Sequence, residues 1–164
     1  MKFVAALVDK NEPGFMPSDP MTVARCDAAF FAAEELGPVN PCVNVWRGDD
    51  FTQKVSTYMQ TFPTKLGNLA RYLGNGPFFC GDKPTYGDFN VYHHLDNTRL
   101  LDPNALDAHA NIVTFMAAVE QLPGVSDFLK ARPKPVDIGT APMLDPAWWG
   151  PDGDKSKGAP QKFR

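Results

Sequence analysis

The sequence predicts an all-α protein, a helical bundle followed by a Pro/Gly-rich C-terminal extension. Large apolar residues recur at spacings of three and four over several segments, which is the period of a helix with one buried face. Helix-starting and helix-ending residues bracket those segments, while runs alternating apolar and polar residues, the mark of a strand, are hard to find. The punctuation is dense: 16 prolines and 13 glycines in 164 residues.

Taken in order, Ser18-Asp19-Pro20 places a cap residue before a proline at the first helical position. The alanine-rich run Met21 to Leu36 then closes at Gly37-Pro38. From Asp49 to Leu73, residues Phe51, Val55, Tyr58, Phe62, Leu66, Leu69 and Leu73 form one continuous stripe. Pro63 lies inside it and predicts a kink, not a break, because the pattern stays in phase across it. Thr85-Tyr86-Gly87-Asp88 reads as a capping box with Asp in the usual Glu position. The helix it opens runs to about Leu101 and is apolar on two sides (Phe89, Tyr92, Leu95; Val91, Thr98, Leu101), as expected in the middle of a bundle. A fourth helix, about Ala108 to Leu122, carries Ile112, Phe115, Met116 and Val119 in phase. A short fifth, Val125 to Ala131, follows Pro123-Gly124. From Pro133 onward six prolines and four glycines accompany a loss of apolar periodicity.

A chain of this length holds one domain with a core of its own. No stretch reaches the ~18 consecutive apolar residues of a membrane span. A net charge of -3 argues against nucleic-acid binding, which depends on lysines and arginines neutralising phosphates. The three cysteines, Cys26, Cys42 and Cys80, cannot all pair and lack C-x-x-C spacing, so neither a disulfide framework nor a zinc site is expected. His93 and His94 point about 100° apart on a helix and cannot share a metal as an i, i+4 pair would. The start, Met1 to Val8, is apolar only briefly before Asp9, so secretion is not expected. The compartment expected is the cytoplasm or the interior of an organelle such as a chloroplast or mitochondrion.

The stretch Phe79-Cys80-Gly81-Asp82-Lys83-Pro84-Thr85-Tyr86-Gly87-Asp88-Phe89 resembles the folding motif of the glutathione transferase C-terminal domain. Three further pieces agree in order: Phe62-Pro63-x-Lys65-Leu66; Leu95-Asp96-x-x-Arg99-Leu100-Leu101-Asp102; and Leu122-Pro123-Gly124-Val125 with Phe128-Leu129-x-x-Arg132-Pro133. The likeness covers roughly residues 18 to 133 and is nearest to the pi, mu and sigma-like classes. It implies three parts. Residues 1–17 resemble the last helix of a thioredoxin-like domain that is otherwise lacking, residues 18–132 form the helical domain, and 133–164 form an extended tail.

In that family the missing domain supplies the catalytic Tyr, Ser or Cys and the glutathione-holding backbone, so no catalytic residue is expected in this chain. The resemblance implies a non-catalytic interaction or scaffold subunit of a larger protein assembly, without a cofactor. Its partners would be other protein subunits, an organellar membrane complex among them. The alternative is the C-terminal portion of an active enzyme conjugating glutathione to hydrophobic electrophiles. Under it, Glu35, with Glu34 beside it, matches an acidic residue that reaches towards the neighbouring subunit's glutathione. Read from the residues alone, Glu35 is a solvated helix end. Cys80, set among aromatic residues, reads as a small apolar filler. In the tail, Met143, Leu144, Trp148 and Trp149 are the candidate partner-docking residues, and the tryptophans either anchor a partner or fold back on their own bundle.

Overall fold

The computed structural model describes residues 15–37 and 48–131. Among them are five helices: α1 (Pro20–Glu34), α2 (Gly48–Leu73), α3 (Tyr86–Leu101), α4 (Ala110–Glu120) and α5 (Val125–Ala131). The one β feature there is an isolated bridge between Phe78 and Gly81 in the turn leading to α3. Most of the 1–17 segment and the whole tail, with Met143, Leu144, Trp148 and Trp149, lie outside the described residues.

Helix α1 starts where its cap chemistry places it. Asp19 accepts hydrogen bonds from the Thr22 amide and the Thr22 hydroxyl, both at 2.8 Å, and Pro20 occupies the first turn. The helix ends two residues before Leu36, because the Leu36 amide bonds the Ala33 carbonyl in a tighter turn and Gly37 then takes a φ of +96°. Its buried residues, Cys26, Ala29 and Ala33, are all small. Helix α2 runs unbroken through Pro63, which is exposed, on the side away from the stripe Tyr58, Phe62, Leu66, Leu69 and Leu73 that enters the core.

Helix α3 lies at the centre, with α1 packed against one side and α4 against another. Ten of its residues are buried, among them the polar Asp88, Asn90, His94, Asp96 and Thr98. Each needs a partner there. Tyr58 on α2 and Thr98 share a hydrogen bond of 2.7 Å, and Thr98 donates to the His94 carbonyl at 2.8 Å. Helix α4 is shorter than its apolar pattern by two residues at each end, because backbone bonds around His109 and Gln121 close turns there. It inserts Ile112, Phe115, Met116 and Val119 into the core, where Phe79 meets the Phe115 ring edge-on at 5.3 Å. Helix α5 buries no residue completely.

No single helix among the described residues is long and apolar enough to cross a membrane. Helices α4 and α5 reach that composition only as a pair bent by 86°, and the apolar face of α4 is the core itself.

Candidate functional site

The most developed polar arrangement is the junction of α1 with the start of α3. Thr85 and Asp88 form the capping box, and the Asp88 carboxylate is its centre. It accepts from the Thr85 amide (2.7 Å), the Thr85 hydroxyl (2.7 Å) and the Phe79 amide (2.8 Å), so it fastens the preceding turn as well as the helix end. Burial pushes the Asp88 carboxyl above the usual Asp range, opposed by the three donors. The network continues into α1. The Cys26 thiol donates to the Thr85 hydroxyl oxygen at 3.1 Å, and the Gly87 amide donates to the Cys26 sulfur at 3.3 Å.

Beside it the Tyr86 hydroxyl donates to the Asp27 carboxylate. Burial first, then that carboxylate, raise the Tyr86 pKa. Cys80 is half-buried, and burial pushes its thiol up to about 11. A neutral thiol is a poor nucleophile.

Glu35 lies past the end of α1, on the rim of an open cavity of about 260 Å³ floored by Ala28, Ala32, Leu69 and Tyr72. Lys65 stands opposite and donates to the Leu36 carbonyl at 3.5 Å, closing the end of α1 from α2. Glu34, next to Glu35 and itself exposed, reaches across to α3. Glu34 accepts from the Asn90 amide at 2.9 Å and lies 3.5 Å from His94 Nε2. The Asn90 bond, and the nearby histidines less strongly, hold the Glu34 carboxyl below the usual range against the effect of burial. Burial lowers the pKa of His94, outweighing Glu34, and His94 Nδ1 is buried without a partner among the described residues. His93 bonds Asn97 at 3.2 Å instead, and its ring meets the His94 ring edge-on with centroids 5.6 Å apart.

No group of three or more His, Cys, Asp or Glu side chains is arranged around a common point among the described residues. A second open cavity, about 370 Å³, lies between α3 and α5, lined by Phe89, Tyr92, Pro123, Phe128 and Leu129.

Sequence reasoning located the capping box but missed the sulfur that continues it, since Cys26 and Thr85 are 59 positions apart. It also missed the Asn90–Glu34–His94 contact. Arg99, noted only as part of a motif, joins Asp96 (2.8 Å) to Glu120 on α4 (2.6 Å). The i, i+3 spacing of Asp96 and Arg99 was the signal available in the sequence.

The comparisons agree with this architecture. The family model described as "Glutathione S-transferase, C-terminal domain" matches residues 39–132. Mouse glutathione S-transferase Mu 2 is 40% identical over 82 residues, covering 50% of this chain and 38% of that protein. Human glutathione S-transferase Mu 4 is 35% identical over 100 residues, covering 59% and 46%. The chain thus spans less than half the length of these relatives. Among solved structures, the pi-class glutathione S-transferase of Onchocerca volvulus superposes with a TM-score of 0.66 at 18% identity, over 80% of this chain and 64% of that one. Rat hPGDS complexed with a quinoline gives 0.63 at 19%, over 79% and 66%. The central buried helix, the capping box that opens it and a family match over more than half the sequence lead to one conclusion: the chain belongs to the glutathione S-transferase C-terminal domain family.

Proposed function

We propose that this chain is a non-catalytic, glutathione-transferase-like interaction or scaffold subunit of a larger protein assembly. The observation that carries the reading is the exposure of large apolar side chains on α1 and α5. Phe31 on α1 is 62% exposed, and Phe128 on α5, which lines the cavity between α3 and α5, is 63% exposed. Contiguous exposed apolar patches mark places where proteins meet other proteins, and in this reading Phe31 and Phe128 belong to such patches. In this reading the partners are protein subunits, an organellar membrane complex among the candidates, and Met143, Leu144, Trp148 and Trp149 add a second point of attachment. The compartment is the cytoplasm or an organelle interior, and no cofactor is needed.

The test has two arms. The full chain is titrated with glutathione by calorimetry and assayed for conjugation to a model electrophile; neither binding nor rate above background is expected. In parallel, tagged wild type and the Phe31→Ser and Phe128→Ser variants are recovered from the native source under mild conditions. Stoichiometric protein subunits should accompany the wild type and be depleted from at least one variant. Micromolar glutathione binding by the chain alone, or identical recovery from all three proteins, overturns the reading.

A second reading has its own support in the 35–40% identity to Mu-class transferases and in the place of Glu35 at the rim of an open cavity. Here the chain is the C-terminal portion of an active enzyme that conjugates glutathione to hydrophobic electrophiles, and Glu35 faces the glutathione of a neighbouring subunit. Sequencing upstream of the codon for Met1 decides between the two. A thioredoxin-like domain with a Tyr or Ser and a cis-proline turn supports the enzyme.

A further inference from the structure

We propose that Cys26 and Cys80 are a redox pair, able to form a reversible disulfide that ties α1 to the turn in front of α3. The two thiols approach from opposite sides of one seam. Cys26 is fully buried on α1, with its sulfur between the Thr85 hydroxyl and the Gly87 amide at the start of α3. Cys80 belongs to the turn closed by the Phe78–Gly81 bridge. Its sulfur lies 3.9 Å from the carbonyl oxygen of Thr22, one helical turn ahead of Cys26 on the same face of α1. Cys26 and Tyr86 form one small buried cluster against which Cys80 packs, and the Cys26 thiol and the Thr85 hydroxyl are immediate neighbours of the Cys80 thiol.

Their exposure differs in a way that orders the chemistry. Cys80 is half-buried and can be reached by a small oxidant, whereas Cys26 has no exposed surface. With a small-molecule disulfide as oxidant, the Cys80 thiolate attacks one sulfur, forming a mixed disulfide and releasing one small thiolate. Cys26 then attacks the Cys80 sulfur, forming the protein disulfide and releasing the second. Two protein thiols lose two electrons, one small disulfide gains them, and the two protein protons end on the two small thiols. The Cys26–Thr85 hydrogen bond is given up, while the Thr85 hydroxyl keeps its bond to Asp88. Because burial raises the Cys80 pKa, the attacking thiolate is scarce at neutral pH. The pair therefore closes slowly, under sustained oxidation.

The test uses the full folded chain with hydroxyethyl disulfide. Remaining thiols are blocked, and the digest is analysed by mass spectrometry with and without dithiothreitol. A Cys26–Cys80 linked peptide is expected, reversed by the reductant and absent from Cys80→Ser. It should persist in Cys42→Ser, and form about tenfold faster per pH unit below the Cys80 pKa. Accumulation of Cys80 only as the mixed disulfide, cross-links through Cys42, or a Cys26–Cys80 link that appears only after unfolding in urea overturns the proposal. The wild-type mass result stands whether or not a serine variant folds.

Discussion

A Cβ atom built on Gly87 would lie 2.6 Å from the carbonyl oxygen of Cys26, so α1 and α3 cross with no room for a side chain. This contact positions everything described at the junction. It lets the Gly87 amide reach the Cys26 sulfur and sets that sulfur on Thr85. Alanine would raise helix propensity by about 1 kcal/mol, but the atom it meets is backbone and cannot rotate away. Gly87→Ala is therefore expected to destabilise by about 2 kcal/mol through forced separation of the helices. A urea midpoint equal to or above that of the wild type would show that the crossing is looser than this.

At the capping box the two residues should not be equivalent. Asp88→Ala strands three donors, the Phe79 amide, the Thr85 amide and the Thr85 hydroxyl, in a site without solvent. Its expected cost is about 3 kcal/mol. Thr85→Ala removes one hydroxyl and leaves the Asp88 carboxylate two amides, so about 1 kcal/mol is expected. Chemical denaturation of both variants gives the order, and a larger loss for Thr85→Ala would contradict it.

Stability should fall on mild acidification, first through His94. Burial lowers its pKa from the ordinary 6.5, so the folded protein holds this ring neutral where the unfolded chain would bind a proton. Its contribution is complete above about pH 6.5 and is lost as the pH falls through the lowered folded value. Glu34, also lowered, adds a contribution that is complete above its ordinary 4.5 and is lost further down. Urea midpoints from about pH 7.5 to about pH 3 should decline in two stages, and His94→Gln should flatten the upper stage while leaving the lower. An unchanged upper stage in the variant would assign it to another group.

The aromatic contact at the heart of the bundle gives a control of known kind. Phe115 is fully buried against Phe78 and Phe79, and Phe115→Ala should cost about 3–5 kcal/mol by leaving a cavity. A loss below about 1 kcal/mol would mean that the core collapses around the gap.

The helices themselves were legible in the sequence because their causes are local. Asp19 and Pro20 start α1 through bonds to residues within one turn, and the stripe from Val55 to Leu73 has the period of the helix it lies on. Thr85 and Asp88 announce α3 because their reciprocal bonds span three residues. Even the persistence of α2 through Pro63 followed from the phase of that stripe. The few errors lie at helix ends, at Leu36 and around His109, where a turn bond competes with one more helical residue for nearly the same energy.

What only the tertiary structure decided is the set of relations between residues distant along the chain. Nothing near Cys26 in the sequence indicates that its thiol will meet Thr85, 59 residues on, or share a cluster with Cys80. Nor does Glu34, beside the more conspicuous Glu35, show that it will reach across to Asn90 and His94 on α3 while Glu35 remains at a cavity rim. Periodicity determines which face of a helix is buried. The identity of the neighbour depends on how closely two helices approach, and here that distance is set by the missing side chain of Gly87.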